Sequence, residues 1–254
     1  MKISIITITL NSEETIIKNL ESVISQSYKD VEHIIVDGGS NDNTMKIIRE
    51  KNCNKIVISK LKIIGIYESF NEALKLVSGD YFCFLNSDDY FDNKNVLKQI
   101  IDIIKNEKKP IYYGNINYVN KSSKVIRRWK SGTYNKKKLD LGWMPPHTGT
   151  FFSSKLLEQD LSFNQKYKIS SDYDFMLKSI FLSNHNLSYL NCTITNMRLG
   201  GESNKNIINL IKVFIEDYKI ASLYFRYPVI TVLMKKFRKI NQFFFKSSDR
   251  KNFY

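Results

Sequence analysis

Gly79-Asp80-Tyr81-Phe82-Cys83-Phe84-Leu85-Asn86-Ser87-Asp88-Asp89 decides how the rest of the chain reads. Residues 81–85 form an unbroken apolar run, rich in aromatics, that reads as a buried strand. The run stops at a polar turn carrying two adjacent carboxylates. A buried strand therefore delivers acidic groups to its carboxyl end. Cys83, inside the run, reads as a buried structural thiol.

Moving toward the N-terminus, residues 66–77 read as a helix, with Tyr67, Phe70, Leu74 and Val77 on one stripe. Residues 3–10, 31–36 and 55–59 read as further strands. Asn11-Ser12-Glu13-Glu14 reads as the start of a helix continued by Leu20, Val23 and Ile24. Residues 37–44, Asp-Gly-Gly-Ser-Asn-Asp-Asn-Thr, can only be a loop before a helix over 44–50. Residues 96–105 form one more amphipathic helix. Such strand–helix alternation predicts an α/β fold with a mainly parallel sheet. Ligands of such sheets bind beyond the carboxyl ends of the strands, where both acidic loops fall.

Toward the C-terminus the pattern loosens. Residues 111–119 and 124–129 read as strands, possible antiparallel partners; 136–141 is basic and then apolar. Residues 143–149 form a loop, and 171–181 a helix. In the last fifty residues Ile230, Leu233, Phe237, Ile240 and Phe244 share one helical face. Lys235, Lys236, Arg238, Lys239 and Lys246 interleave with them, as in basic amphipathic segments. Three parts follow: 1–110, the regular strand–helix half; 111–204, the less regular half; and 205–254, the basic helical segment.

Composition narrows the classes. The chain has 254 residues, 43% of them hydrophobic, enough for a packed core. Cys53, Cys83 and Cys192 are odd in number and form no CxxC pair, which argues against a disulfide framework or zinc site and fits a reducing cytoplasm. The N-terminus lacks the apolar core and cleavage site of a signal peptide, and no stretch reads as a membrane span. The formal net charge of +14 admits nucleic acid, an anionic membrane or a phosphorylated substrate as partner.

Three acidic motifs could carry chemistry. Two adjacent carboxylates, Asp88 and Asp89, are costly to hold together without a positive partner, and Mg²⁺ or Mn²⁺ prefers such oxygens. Asp37, before two glycines, could accept from a base N–H or a ribose hydroxyl. Asp172, in Ser171-Asp172-Tyr173-Asp174, could take a proton from an acceptor hydroxyl. Taken singly, each also reads as a polar turn or a helix cap. No Gly-x-Gly-x-x-Gly or Walker pattern is present.

Together the motifs are more specific. Residues 4–11, 33–44, 65–74, 79–89, 146–152 and 171–174 resemble, in that order, the family 2 glycosyltransferases of GT-A fold found in bacterial surface-polysaccharide and O-antigen clusters. The resemblance covers roughly residues 1–205. It implies a GT-A nucleotide-sugar domain and a UDP-sugar donor, with Asp37 reading the uracil and Thr7, Thr9 and Asn11 lining the same pocket. It places Tyr67, Glu68 and Asn71 near the donor, Asn86 and Asp88 against the nucleotide-sugar, and Asp88 and Asp89 on Mn²⁺ or Mg²⁺. Asp172 becomes the base of an inverting transfer, and His147 lies on the acceptor or diphosphate side. Two positions depart from the pattern: Asn86 where many relatives carry Asp, and Ser171 where Glu often precedes the base.

The resemblance also implies a lipid-diphosphate-linked saccharide as acceptor. With it, the basic C-terminal segment reads as a contact to the anionic inner face of the membrane, making the protein cytoplasmic and peripheral. The bland alternative is a helix packed on the domain. Rival classes are a nucleic-acid binder, a nucleotide-sugar-binding protein without catalysis, and a nucleotidyltransferase. The acidic loops and the lack of any nucleic-acid motif argue against the first.

Overall fold

The computed structural model describes residues 1–51, 56–60, 65–199 and 207–244. Cys53, Lys55 and Lys246, and the side chains of Lys239, Ile240 and Phe244, lie outside the described set. The strands are β1 (Ile3–Thr9), β2 (Val31–Asp37), β3 (Ile56–Lys60), β4 (Tyr81–Phe84), β5 (Tyr90–Phe91), β6 (Ile111–Val119), β7 (Val125–Trp129), β8 (Thr150–Ser153) and β9 (Leu187–Arg198). The helices are α1 (Ile16–Ile24), α2 (Thr44–Glu50), α3 (Ile66–Lys75), α4 (Val96–Glu107), α5 (Lys136–Asp140), α6 (Ser171–Leu182), α7 (Ile207–Tyr224) and α8 (Pro228–Phe244).

All nine strands join one sheet in the order β3-β2-β1-β4-β8-β6-β9-β5, with β7 on β6. β1 pairs in parallel with β2 and β4, and β2 with β3. β8 runs antiparallel between β4 and β6, and β6 pairs in parallel with β9. Strands from both sides of residue 110 thus share one continuous sheet.

The apolar run that opened the reading is buried because the sheet is covered on both faces. Phe82 and Phe84 point into a core with Ile6, Phe70 and Phe175, against α3 and α6. Tyr81, Cys83 and Leu85 point the other way, among Ile3, Ile5 and the buried stripe of α4. Cys83 is buried, and burial pushes its thiol far above the ordinary range.

One sequence expectation needs correction. Helix α1 begins at Ile16, not at Asn11. Asn11 adopts a left-handed φ of 48°, and its side chain accepts from Asn41 N–H (2.9 Å), while Glu13 accepts from Asn43 N–H (2.9 Å). These residues tie the β1 loop to the β2 loop instead of capping a helix. At the C-terminus, the described members of the apolar stripe face outward. Helix α8 docks through buried Thr231 and Val232, while Ile230, Leu233 and Phe237 are exposed. Its backbone lies against Gly142 so closely that an added Cβ would stand 2.4 Å from the Thr231 carbonyl oxygen. Thr231 Oγ1 donates to the Asp140 carbonyl at 2.7 Å. No helix among the described residues is long and apolar enough to cross a membrane.

Candidate active site

The loops leaving β1, β2 and β4 meet at the carboxyl ends of these strands. Asp37 closes β2 opposite Thr9 of β1. Its buried carboxylate accepts from Gly39 N–H (3.2 Å), Ser40 N–H (3.2 Å) and Ser40 Oγ–H (2.6 Å). The second glycine after it, Gly39, takes φ +91°, which no L side chain adopts cheaply. Ser40 Oγ in turn accepts from Asn11 N–H at 2.9 Å. Asp37 thus organises its own turn, and a base N–H would compete with Ser40 for the same oxygens. Thr9 is different: its hydroxyl oxygen is buried and has no partner among the described residues. A buried unpaired hydroxyl is costly, so this one is a candidate ligand contact. Thr7 is fully buried, with its hydroxyl donating to the Leu85 carbonyl (2.7 Å) and bonded to His33 Nε2 (2.9 Å). It supports the pocket from beneath.

The acidic turn is stitched to this group. Ser12 and Ser87 hydroxyls share a hydrogen bond of 2.9 Å. Buried Asn19 of α1 donates its amide to the Asn86 (2.9 Å) and Asp89 (3.1 Å) carbonyls. No motif flagged Asn19, whose signal is only a polar residue on the buried stripe of α1. Asn86 donates its amide N–H to Asp89 Oδ2 at 3.1 Å, and Arg198 N–H donates to Asp89 Oδ1 at 3.1 Å. The departure at Asn86 is explained: an ionised Asp there could not donate to Asp89. Asp89 is buried and holds the turn, whereas Asp88 is partly exposed. Burial, and then the Asp88 charge, pushes the Asp89 carboxyl well above the usual range. Burial raises Asp88 too, opposed by the Arg198 charge. Arg198, at the end of β9, lay outside every sequence motif.

This pair fits a hard divalent cation, because added positive charge would restore both carboxylates to the ionised form. Among the described residues no group of three or more His, Cys, Asp or Glu could hold a metal alone. An ion there would complete its shell with water and diphosphate oxygens, as Mg²⁺ commonly does.

A second group surrounds the start of α6. Asp172 sits in its first turn, exposed, where the positive end of the helix dipole favours a carboxylate. Asp174 faces inward, and burial raises its carboxyl. The structure therefore separates the two acids of that motif. Tyr67 Oη donates to the Ile169 carbonyl at 2.5 Å, and Asp172 is among the charges that raise its phenol after burial. Asn71 spends its amide on the backbone of Phe163, donating at 2.9 Å and accepting at 2.8 Å.

His147 stands between the two groups. Its ring stacks on Phe84 at 4.4 Å and meets Phe70, Phe163 and Phe175 edge-on at 5.8–6.1 Å. Burial pushes its imidazole down to about 3. Its Nε2 is buried with no partner among the described residues. His147 thus packs as a neutral aromatic in a wall running from Phe84, before the acidic turn, to Phe175 on α6.

Comparison with known proteins agrees with this geometry. The profile described as Glycosyl transferase family 2 matches residues 4–162. A relative from Escherichia coli, the UDP-Glc:alpha-D-GlcNAc-diphosphoundecaprenol beta-1,3-glucosyltransferase WfgD, is 31% identical over 75% of this chain and 73% of its own. A second E. coli protein with the same description, WfaP, is 37% identical over 44% of this chain, and the match spans only 45% of the relative's length. Among solved structures, S. aureus TarS in complex with UDP superposes with a TM-score of 0.65 at 22% identity, over 87% of this chain and 65% of that one. Mannosyltransferase PcManGT from Pyrobaculum calidifontis, in complex with GDP-Man and Mn²⁺, gives 0.64 at 12% identity over 92% and 68%. These two carry the fold, which is the GT-A architecture that the family resemblance implied. A family profile that spans most of the sheet, joined to an acidic turn at the β4 end, establishes that the chain belongs to glycosyl transferase family 2.

Proposed function

We propose that this protein transfers a hexose or N-acetylhexosamine from a UDP-sugar to a hydroxyl of a lipid-diphosphate-linked saccharide, with inversion to a β-glycoside, in cell-surface polysaccharide synthesis. One observation carries the reading: the Asp88–Asp89 turn is knitted to the β1 and β2 loops, so a diphosphate and a nucleoside have adjoining places. The printed activities of WfgD and WfaP, glucosyl transfer to a diphosphoundecaprenol-linked GlcNAc, support the acceptor class.

In this reading Thr9, Asn11 and Asp37 face the nucleoside, with Thr7 beneath them. Asp88 faces the diphosphate, and Asn86 and Asp89 hold the turn in shape. Bound Mn²⁺ or Mg²⁺ would neutralise charge on the departing diphosphate. Arg198 adds positive charge on the same side. Asp172, exposed at the head of α6, takes the proton of the acceptor hydroxyl as that oxygen attacks the anomeric carbon. Tyr67 and Asn71 shape the wall between donor and acceptor, and neutral His147 packs inside it.

The C-terminal hairpin supplies the membrane contact. Helices α7 and α8 and their link hold ten of the twenty exposed large hydrophobic residues of the described chain, Ile211, Leu223, Ile230 and Phe237 among them. Exposed Lys212, Lys219 and Arg226 lie between them. An apolar and basic surface of this kind suits an anionic bilayer, where each basic side chain contributes roughly 1 kcal/mol.

The test is transfer from UDP-sugars to a diphosphoundecaprenol-linked GlcNAc in anionic vesicles, with the new linkage read by NMR. A β-linked product from an α-linked donor is expected. An α-linked product would overturn the inverting mechanism, and equal binding to neutral and anionic vesicles would remove the charge argument for the hairpin.

A further inference from the structure

Glu216 of α7 makes an arrangement that neither the sequence motifs nor the family profile covers. Its carboxylate gathers three consecutive backbone amides from a loop 46–48 residues away. Oε1 accepts from Lys168 N–H at 2.9 Å, and Oε2 from Ile169 N–H at 3.0 Å and Ser170 N–H at 2.9 Å. Consecutive amides turned toward one anion form a nest, and charge-assisted bonds of this kind are about twice as strong as neutral ones. Ser170 immediately precedes α6, and Asp172 stands in the first turn of that helix.

The same loop is held from its other side. Tyr67 Oη bonds the Ile169 carbonyl, and Ser171 Oγ donates to the Asn164 carbonyl at 2.9 Å. This last bond gives Ser171 a use at the position where relatives often carry Glu. Next to Glu216, buried Asp217 pairs with Lys235 of α8 at 2.9 Å, and the Lys235 ammonium lies 3.4 Å from the centre of the Tyr173 ring on α6. Two successive acids of α7 therefore fix this helix against both the lead-in to α6 and its first turn.

We propose that Glu216 is a positioning residue for the acceptor step: it fixes the 168–170 backbone so that the Asp172 carboxylate meets the acceptor hydroxyl. Glu216 does not touch the sugar or the diphosphate. The inference rests on Asp172 being the base. A displacement of about 1 Å at a reacting group can lower a rate on the order of 100-fold. Glu216→Gln keeps size but leaves one acceptor oxygen for three donors and turns an NH₂ toward them.

The experiment compares full-length wild type, Glu216→Gln, Glu216→Asp, Tyr67→Phe and Asp172→Asn by transfer kinetics, UDP release without acceptor, and thermal melting. Expected for Glu216→Gln is a kcat for transfer lower by ~10–100-fold, with donor KM and acceptor-free UDP release unchanged. Tyr67→Phe, which removes one bond to the same loop, lowers kcat for transfer more weakly. Glu216→Asp, which keeps the charge but shortens its reach to the three amides, repeats the Glu216→Gln pattern and serves if Glu216→Gln does not fold. Wild-type kcat in both Glu216→Gln and Tyr67→Phe, with Asp172→Asn inactive, overturns the Glu216 proposal alone. Parallel loss of kcat, donor binding and melting temperature overturns it as well, since that marks a structural role. Wild-type transfer by Asp172→Asn sinks the base assignment instead, whatever Glu216 does.

Discussion

The nucleotide end of the candidate site combines bonds within its own turns with bonds from distant segments, whereas the base end rests mainly on distant ones. At the nucleotide end, Asp37 bonds residues two and three positions along, and Asn86 bonds Asp89 three positions along. At the base end, the loop before Asp172 is held by Tyr67, from 102 residues upstream, and by Glu216, from 46–48 residues downstream. Asn19, 67 and 70 residues from its partners Asn86 and Asp89, and Arg198, 109 residues from Asp89, brace the local turns of the nucleotide end. The base end has its shape only after α3, α6 and α7 have packed. In the proposed reading, the hairpin that exposes the apolar, basic surface also steadies Asp172, so surface binding and acceptor chemistry would share a support.

Substitutions at the acidic turn should have the largest effect. Asp88→Ala is expected to lower transfer by ~10³-fold or more with little change in melting, since Asp88 is partly exposed and, in the proposed reading, faces the diphosphate. Asp89→Ala is expected to lose activity and also roughly 1–3 kcal/mol of stability, because it strands the Arg198 N–H and the Asn86 amide. Equal melting temperatures for the two variants would erase the distinction between a cleft-facing and a turn-holding carboxylate. At the base end, Asp172→Asn should cut transfer by ~10²–10⁴-fold while UDP binding persists. Loss of UDP binding in that variant would merge the two ends into one site.

Gly142→Ala sharpens the contrast at the hairpin. Residue 142 has φ +73°, and its added Cβ would meet the α8 backbone at 2.4–2.8 Å. A cost of roughly 2–4 kcal/mol is expected, together with weakened transfer but intact UDP binding, measured by melting and by nucleotide titration. A smaller effect comes from acid. His33 and His147 are held neutral by burial, each lowered from 6.5 to about 3. The unfolded chain takes those protons first, so their contribution is complete above pH 6.5 and declines as pH falls from 6.5 toward 3, by up to ~1.4 kcal/mol per pH unit per histidine. Glu32, lowered from 4.5 to about 2 by bonds to Lys2, Ser4 and Ser78 against its burial, keeps its contribution above pH 4.5. The raised Asp88, Asp89 and Asp174 carboxyls oppose this fall, so the histidine effect is read by difference. His147→Phe should lose less melting temperature than wild type between pH 7 and pH 5, and equal losses would contradict the neutral burial of His147.

This difference in construction also explains what could be read in advance. The first four parallel strands, α3 and α4 announced themselves through apolar runs and stripes, because each buries a continuous face. β5 and β8 have two and four residues, too few for a period, and β9 is interrupted by Asn191, Cys192 and Asn196. Asn11 passed for a helix cap because its partner, the Asn41 amide, is thirty residues away. Asp37, Asp88 and Asp89 were legible because strand ends place them. Asn19, Arg198 and Glu216 were not, since each acts on backbone groups that only the folded chain brings near. The outward turn of Ile230, Leu233 and Phe237 was equally hidden: a helical stripe shows that a face exists, not which side of the helix meets the domain.

The most direct test of the central claim is UDP release from a panel of UDP-, GDP-, dTDP- and CMP-sugars, with Mn²⁺ and with EDTA, for wild type and Asp88→Ala. The account predicts release from a UDP-sugar that needs the metal, grows when a lipid-diphosphate-linked acceptor is added, and vanishes in Asp88→Ala. Silence across the panel with that acceptor present, or release that Asp88→Ala leaves untouched, would contradict it.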